Sequence, residues 1–97
     1  MRIRWTPAAA ADLKAIHDYL REHEPQWARL TVIELRQGIQ KLKQFPQIGR
    51  PGRAEGTREL LHERLPYIVV YRVRGEAVEV LRIWHPSQDR RLESPSE

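Results

Sequence analysis

The stretch Pro66-Tyr67-Ile68-Val69-Val70-Tyr71-Arg72-Val73, followed after Arg74-Gly75-Glu76 by Val78-Glu79-Val80-Leu81-Arg82-Ile83-Trp84-His85, decides the fold. β-Branched and aromatic residues fill both runs and a glycine turn joins them, so residues 67–73 and 77–85 read as adjacent strands of a hairpin. An arginine inside an apolar strand needs a partner, because an unpaired buried guanidinium is costly. Arg72, Arg82 and the strand-end His85 therefore mark this hairpin as the place to look for function. By alternation Arg82 shares a face with Val78, Val80 and Trp84, and His85 with Glu79, Leu81 and Ile83; a single site using both needs a twist or bulge.

Working back from the hairpin, residues 57–62 read as a third strand. Residues 47–56 hold Gly49, Gly52, Gly56 and Pro51 and read as an irregular loop carrying Arg50 and Arg53. Before the loop, Ala28, Val32, Leu35, Ile39 and Leu42 recur in four-three alternation, the seam of a long amphipathic helix that starts at Pro25 and stops before Phe45-Pro46. An earlier helix has Thr6 as N-cap and Pro7 as first residue, with Ala9, Leu13, Ile16 and Leu20 on one face. Ile3 and Trp5 alternate with Arg2 and Arg4 as a short N-terminal strand. The order β-α-α-β-β-β predicts an α+β fold, an antiparallel helical hairpin packed on a small twisted antiparallel sheet.

With 97 residues the chain has room for one domain, taken as 1–97 with a polar tail over 86–97. No cysteine is present, which excludes disulfides and thiolate metal sites and favours a reducing compartment, so the cytoplasm is the expected location. The longest apolar run, residues 67–71, is far too short to span a bilayer, and no membrane role is expected. A net charge of +4 suits a polyanion or acidic protein as partner, without specificity. All three lysines precede residue 50 and every later cation is arginine, whose planar fork matches phosphate and carboxylate.

Phe45-Pro46-Gln47-Ile48-Gly49-Arg50-Pro51, Arg58 opening the next strand, Tyr67 to Val73, and Leu81-Arg82-Ile83-Trp84-His85 before Asp89 together resemble the RelE/ParE toxin superfamily. The resemblance covers nearly the whole chain. It implies the toxin half of a type II toxin-antitoxin pair, a growth inhibitor neutralised by a cognate antitoxin in a hetero-oligomer. RelE-like members cut mRNA on the ribosome, whereas ParE-like members act on DNA gyrase. Directly after the strand tyrosine, where RelE-like ribonucleases carry a catalytic arginine, this chain has Ile68. The lysine pair typical of the preceding strand is absent, as is a tyrosine after Arg82. The strand-end pattern with Asp89 is similar to ParE-like chains, so DNA gyrase is the expected target and a ribosome-dependent mRNA endonuclease the alternative.

In that alternative Arg58 and Arg82 hold phosphate and His85 moves protons, since imidazole titrates near neutral pH. The competing reading pairs Arg58, Arg72 and Arg82 with Glu59, Glu63 or Glu79 and leaves His85 a structural histidine at its strand end; a separate alternative is a non-toxic module whose hydrophobic grooves only bind a partner. Arg50, Arg53, Arg72 and Arg90 are the candidates for contacting a target or nucleic acid. His17, His23 and His62 lack metal-ligand spacing, and there is no phosphate loop, so neither metal nor cofactor is expected. Trp27 is the tryptophan expected to be exposed. A domain this small leaves apolar surface for an antitoxin to cover, which predicts poor solubility alone.

Overall fold

The computed structural model describes residues 1–87 of the chain. In chain order it comprises β1 (Arg2–Trp5), α1 (Pro7–His23), α2 (Pro25–Gln40), a 3-10 turn at Lys41–Lys43, β2 (Arg50–Pro51), β3 (Arg58–Leu61), β4 (Ile68–Arg74) and β5 (Ala77–Trp84). Among the described residues no helix is long and apolar enough to cross a membrane.

The helix starts are built as their sequence demands. Thr6 is extended and its hydroxyl accepts the Ala9 amide, while Pro7 occupies the first turn, where its missing N–H costs nothing. Pro25 opens α2 in the same manner. The α-helix ends at Gln40, earlier than Phe45-Pro46 alone suggests, and tightens into the 3-10 turn that buries Leu42.

The sheet order is β1-β5-β4-β3-β2. It is antiparallel except at β1, which pairs parallel with β5, Arg2 opposite Ala77 through Trp5 opposite Val80. The long helical hairpin between β1 and the rest of the sheet carries the chain back, so a parallel pair is accessible here. A correction concerns the loop over 47–56: Arg50-Pro51 is a two-residue edge strand opposite Arg58 and Glu59 of β3. Proline is tolerated there because its missing N–H faces outward on an edge.

Ala9, Leu13, Leu35, Ile39 and Leu42 from the helices pack on Val69, Tyr71, Val78, Val80 and Ile83, forming the core on one sheet face. Ile68, Val70, Leu81 and Trp84 form a smaller cluster on the opposite face. Strict alternation cannot place Val80 and Ile83 together. The register explains it: Tyr71 lies opposite Val80 but Val70 opposite Arg82, so Leu81 is an extra residue, a β-bulge. Parity therefore switches within β5. Trp84 shares a face with Leu81, not with Val78 and Val80, while Ile83 returns to the helical side.

Candidate functional site

The strand arginines are drawn to different parts of the molecule. Arg82 makes a two-pronged pair with Asp12 of α1, Nε to Oδ2 at 2.8 Å and Nη2 to Oδ1 at 3.1 Å. Its guanidinium also lies 4.2 Å from the Trp84 ring centroid, a cation–π contact. Alternation along the sheet nominates glutamates as partners, and the partner is instead an aspartate delivered from a helix. The reason lies at the edge of β5. The pairing with β1 stops at Val80, after which Thr6 donates its hydroxyl to the Val80 carbonyl and Asp12 accepts the Ile83 amide at 2.9 Å. Asp12 thus finishes a strand edge that would otherwise present an unpaired N–H.

Arg58 donates to the carbonyls of Gly49, at 2.8 Å, and Gln47. Arg50 pairs with Glu59, Nη2 to Oε1 at 2.9 Å, so it is held rather than merely solvated. Arg53 is exposed, and Arg90 lies outside the described residues, as does Asp89. Arg58 and Arg82 stand on strands separated by β4 and are engaged with different elements. His85 meets Tyr67 edge to face, ring centroids 5.8 Å apart, and its Nδ1 lies 2.7 Å from Ser87 Oγ. Around it Asp12, Tyr19, Tyr67 and Ile83 line a hollow of about 510 Å³. Burial pushes the Tyr67 phenol above its ordinary value, with Tyr19 adding to the shift, so at neutral pH Tyr67 is a hydrogen-bond donor and not a base.

Arg72 pairs with Glu79, as cross-strand register allows: the two are opposite each other and Nε to Oε1 is 2.7 Å. Arg4 of β1 reaches the other carboxylate oxygen at 3.3 Å. The Arg72 hydrogen bond, with the charges of Arg72, Arg4 and Arg74, holds Glu79 below its ordinary value of 4.5. A carboxyl group depressed on folding contributes stability above its unfolded pKa and loses it as pH falls through the folded value. Urea midpoints should therefore drop on acidification below about pH 4.5, and Glu79→Gln should flatten that drop. A variant with the parent's acid limb would mean the Arg72–Glu79 pair contributes nothing.

A second surface lies between α2 and β3. Trp27, Leu30 and Ile33 on α2 and Phe45, Ile48 and Leu61 beyond it are exposed, Phe45 at 55% and Ile48 at 51%. Glu34, Gln37, Lys41, Ile48 and Leu61 line a groove of about 360 Å³, across which Arg64 pairs with Glu34. β2 covers only Arg58 and Glu59, so the edge of β3 at Leu60 and Leu61 faces this groove. Sequence reasoning anticipated exposed Trp27 but not the rest; Leu30 and Ile33 interrupting the polar face of α2 were the available signal. His62, considered for metal, instead accepts the Arg64 and Leu65 amides on Nδ1.

Comparison with known proteins converges on one group. The family described as the ParE toxin of type II toxin-antitoxin system, parDE, matches residues 3–90. Y4kP of Sinorhizobium fredii, a chain named as a toxin, is 38% identical over 87 residues, 90% of either chain. Toxin RelE2 of Caulobacter vibrioides is 33% identical over 87 residues, 90% of this chain and 97% of that one. Among solved structures, the chromosomal ParDE toxin-antitoxin system from P. aeruginosa superposes with a TM-score of 0.71 at 35% identity, covering 86% of this chain and 92% of that one. The RelBE2 toxin-antitoxin complex from Mycobacterium tuberculosis gives 0.57 at 29% identity, covering 87% and 95%.

Proposed function

The chain belongs to the ParE toxin family of type II toxin-antitoxin systems, and from that premise we propose that it arrests growth by binding DNA gyrase until a cognate antitoxin covers it. One observation carries the choice of target. At the position after the strand tyrosine, where RelE-like ribonucleases carry a catalytic arginine, Ile68 packs with Val70, Leu81 and Trp84 in the apolar cluster on the sheet face away from the helices. Val70, Leu81 and Trp84 are 2–5% exposed, so the position holds an aliphatic side chain seated in a packed cluster and offers a scissile phosphate no charge to stabilise it. Arg58 and Arg82, the cations nearest in kind to a nuclease site, are engaged with the loop backbone and with Asp12.

The antitoxin is the natural occupant of the groove between α2 and β3. Ile48 and Leu61 are exposed along one wall, Glu34, Gln37 and Lys41 form the α2 wall, and an open strand edge can take up a further strand from an extended segment. Covering Trp27, Leu30, Phe45, Ile48 and Leu61 would also relieve the poor solubility expected of the lone domain.

The test is plasmid supercoiling by purified gyrase with increasing amounts of the protein, with and without its antitoxin. Loss of supercoiling with trapped linear plasmid, reversed by antitoxin, is the expected result. Unchanged supercoiling across a wide dose range would overturn the gyrase reading. It would move the weight to mRNA cleavage on ribosomes, with Arg58, Arg82 and His85 as the residues to replace.

A further inference from the structure

Four arginines crowd one end of the sheet face away from the helices. Arg2 and Arg74 flank Ala77 on either side of β5, and two residues further along Arg4 and Arg72 flank Glu79. Their sequence neighbours Ile3, Trp5 and Val73 pack on the helical core, so alternation turns all four arginine side chains to the side away from the helices. Arg2, Arg4 and Arg74 are exposed and Arg72 is half-buried.

The acids nearby do not balance them. Glu79 pairs with Arg72 and Arg4, and Glu76 sits in the adjoining turn. Among the described residues Arg2 and Arg74 make no side-chain hydrogen bond or ion pair. Arg72 bonds Glu79 through Nε, so the terminal nitrogens of its fork are not used by that pair. Glu79, 5% exposed, serves as a floor that orients two of the cations without offsetting all four.

We propose that this arginine quartet binds the phosphodiester backbone of nucleic acid. Arginines two apart in a strand are ~6.7 Å apart, of the order of the step between successive phosphates along one strand. The columns on β1 and β4 lie two strand spacings, roughly 10 Å, apart, so the four present a small grid and not a point charge. A protein partner would need an apolar or aromatic anchor at the centre of its footprint. The residue between Arg2 and Arg74 is Ala77, already 3% exposed, and among the described residues the exposed apolar neighbour of the quartet is Met1, which precedes Arg2 at the end of the edge strand and not between the two columns, so an acidic peptide has no apolar anchor at the centre of the grid. Arginine forks bind phosphate in two-pronged fashion without such an anchor. This site is distinct from the α2–β3 groove and does not depend on the gyrase reading.

The test is fluorescence anisotropy of the full chain with a duplex DNA, a single-stranded RNA and poly-glutamate, each titrated over a range of salt. The double variant Arg2→Gln/Arg74→Gln removes two exposed cations that make no ion pair, Arg74 acting on Glu79 only through its charge, and leaves the Arg72–Glu79 and Arg4–Glu79 pairs in place. It should lower the dependence of log affinity on log salt by roughly two, one per lost phosphate contact. Lys14→Gln/Arg29→Gln, which removes the same charge from the helices, should leave that slope unchanged. Tighter binding of duplex would assign DNA as the source of the backbone, and tighter binding of the single strand RNA. Equal losses in both double variants, no loss in either, or poly-glutamate binding as tightly as the nucleic acids would overturn the proposal.

Discussion

Gly49→Ala is expected to destabilise the domain by about 3 kcal/mol and lower its melting temperature by roughly 10–20 °C. A Cβ at this position would stand 2.6 Å from Tyr71 Oη, 2.7 Å from Tyr71 Cε1 and 2.9 Å from the Glu59 carbonyl oxygen. None of these can yield easily. Tyr71 is fully buried at the centre of β4, and the Glu59 carbonyl belongs to the strand beside it. The tyrosine hydroxyl accepts the Gly49 amide at 2.9 Å and donates to the Pro46 carbonyl at 2.8 Å, tying the loop to the core. Displacing the ring breaks both bonds and strands two backbone groups, so overpacking and lost hydrogen bonds add. Gly38 is the contrast, since its Cβ would meet only His62 Cδ2 at an ordinary 3.6 Å; in a helix interior alanine there should be neutral or stabilising. A Gly49→Ala protein melting within two or three degrees of the parent would refute the packing argument.

Gly49 also shows where sequence reading reaches its limit. The run from Phe45 to Pro51 was recognisable as a pattern, but its physical basis is a tyrosine 22 residues away, and no local rule connects them. What was legible was local or periodic: the Thr6-Pro7 helix start, the buried seam of α2, the hairpin of β4 and β5, and the Arg72–Glu79 pair that its register brings together. What escaped was set by tertiary contact. The β1 pairing joins Arg2 to Ala77, and two residues of β2 are too few for any periodicity. The bulge at Leu81 leaves no mark in an alternating run, yet it reassigns every side chain after it. For the candidate surfaces the same division holds. Arginine-rich strands could be read as binding candidates, but only the register aligns Arg2 and Arg4 with Arg74 and Arg72. Asp12, a single acid on the first helix, gave no sign that it would meet Arg82.

That aspartate carries the second large effect. Asp12→Ala should cost about 2–3 kcal/mol, because it removes a charge-assisted fork and leaves the Ile83 amide without its acceptor at the end of a strand edge. The pair is shielded but not deep, with 26% and 17% of the two side chains exposed, so the penalty falls short of that for a fully buried ion pair. Asp12→Asn keeps an acceptor for the amide and loses mainly the charge, and should cost about 1 kcal/mol. A double-mutant cycle with Arg82→Ala separates the pair from the rest, and a coupling of about 1–3 kcal/mol is expected. Coupling near zero would mean that the fork adds nothing to the fold. The same variants then decide what else Arg82 does. At a temperature where Arg82→Ala and Asp12→Ala are both fully folded, induced growth arrest equal to the parent's makes Arg82 a residue that fastens β5 to α1. Arrest lost in Arg82→Ala but kept in Asp12→Ala, with the fold intact in both, would place the guanidinium in contact with the target.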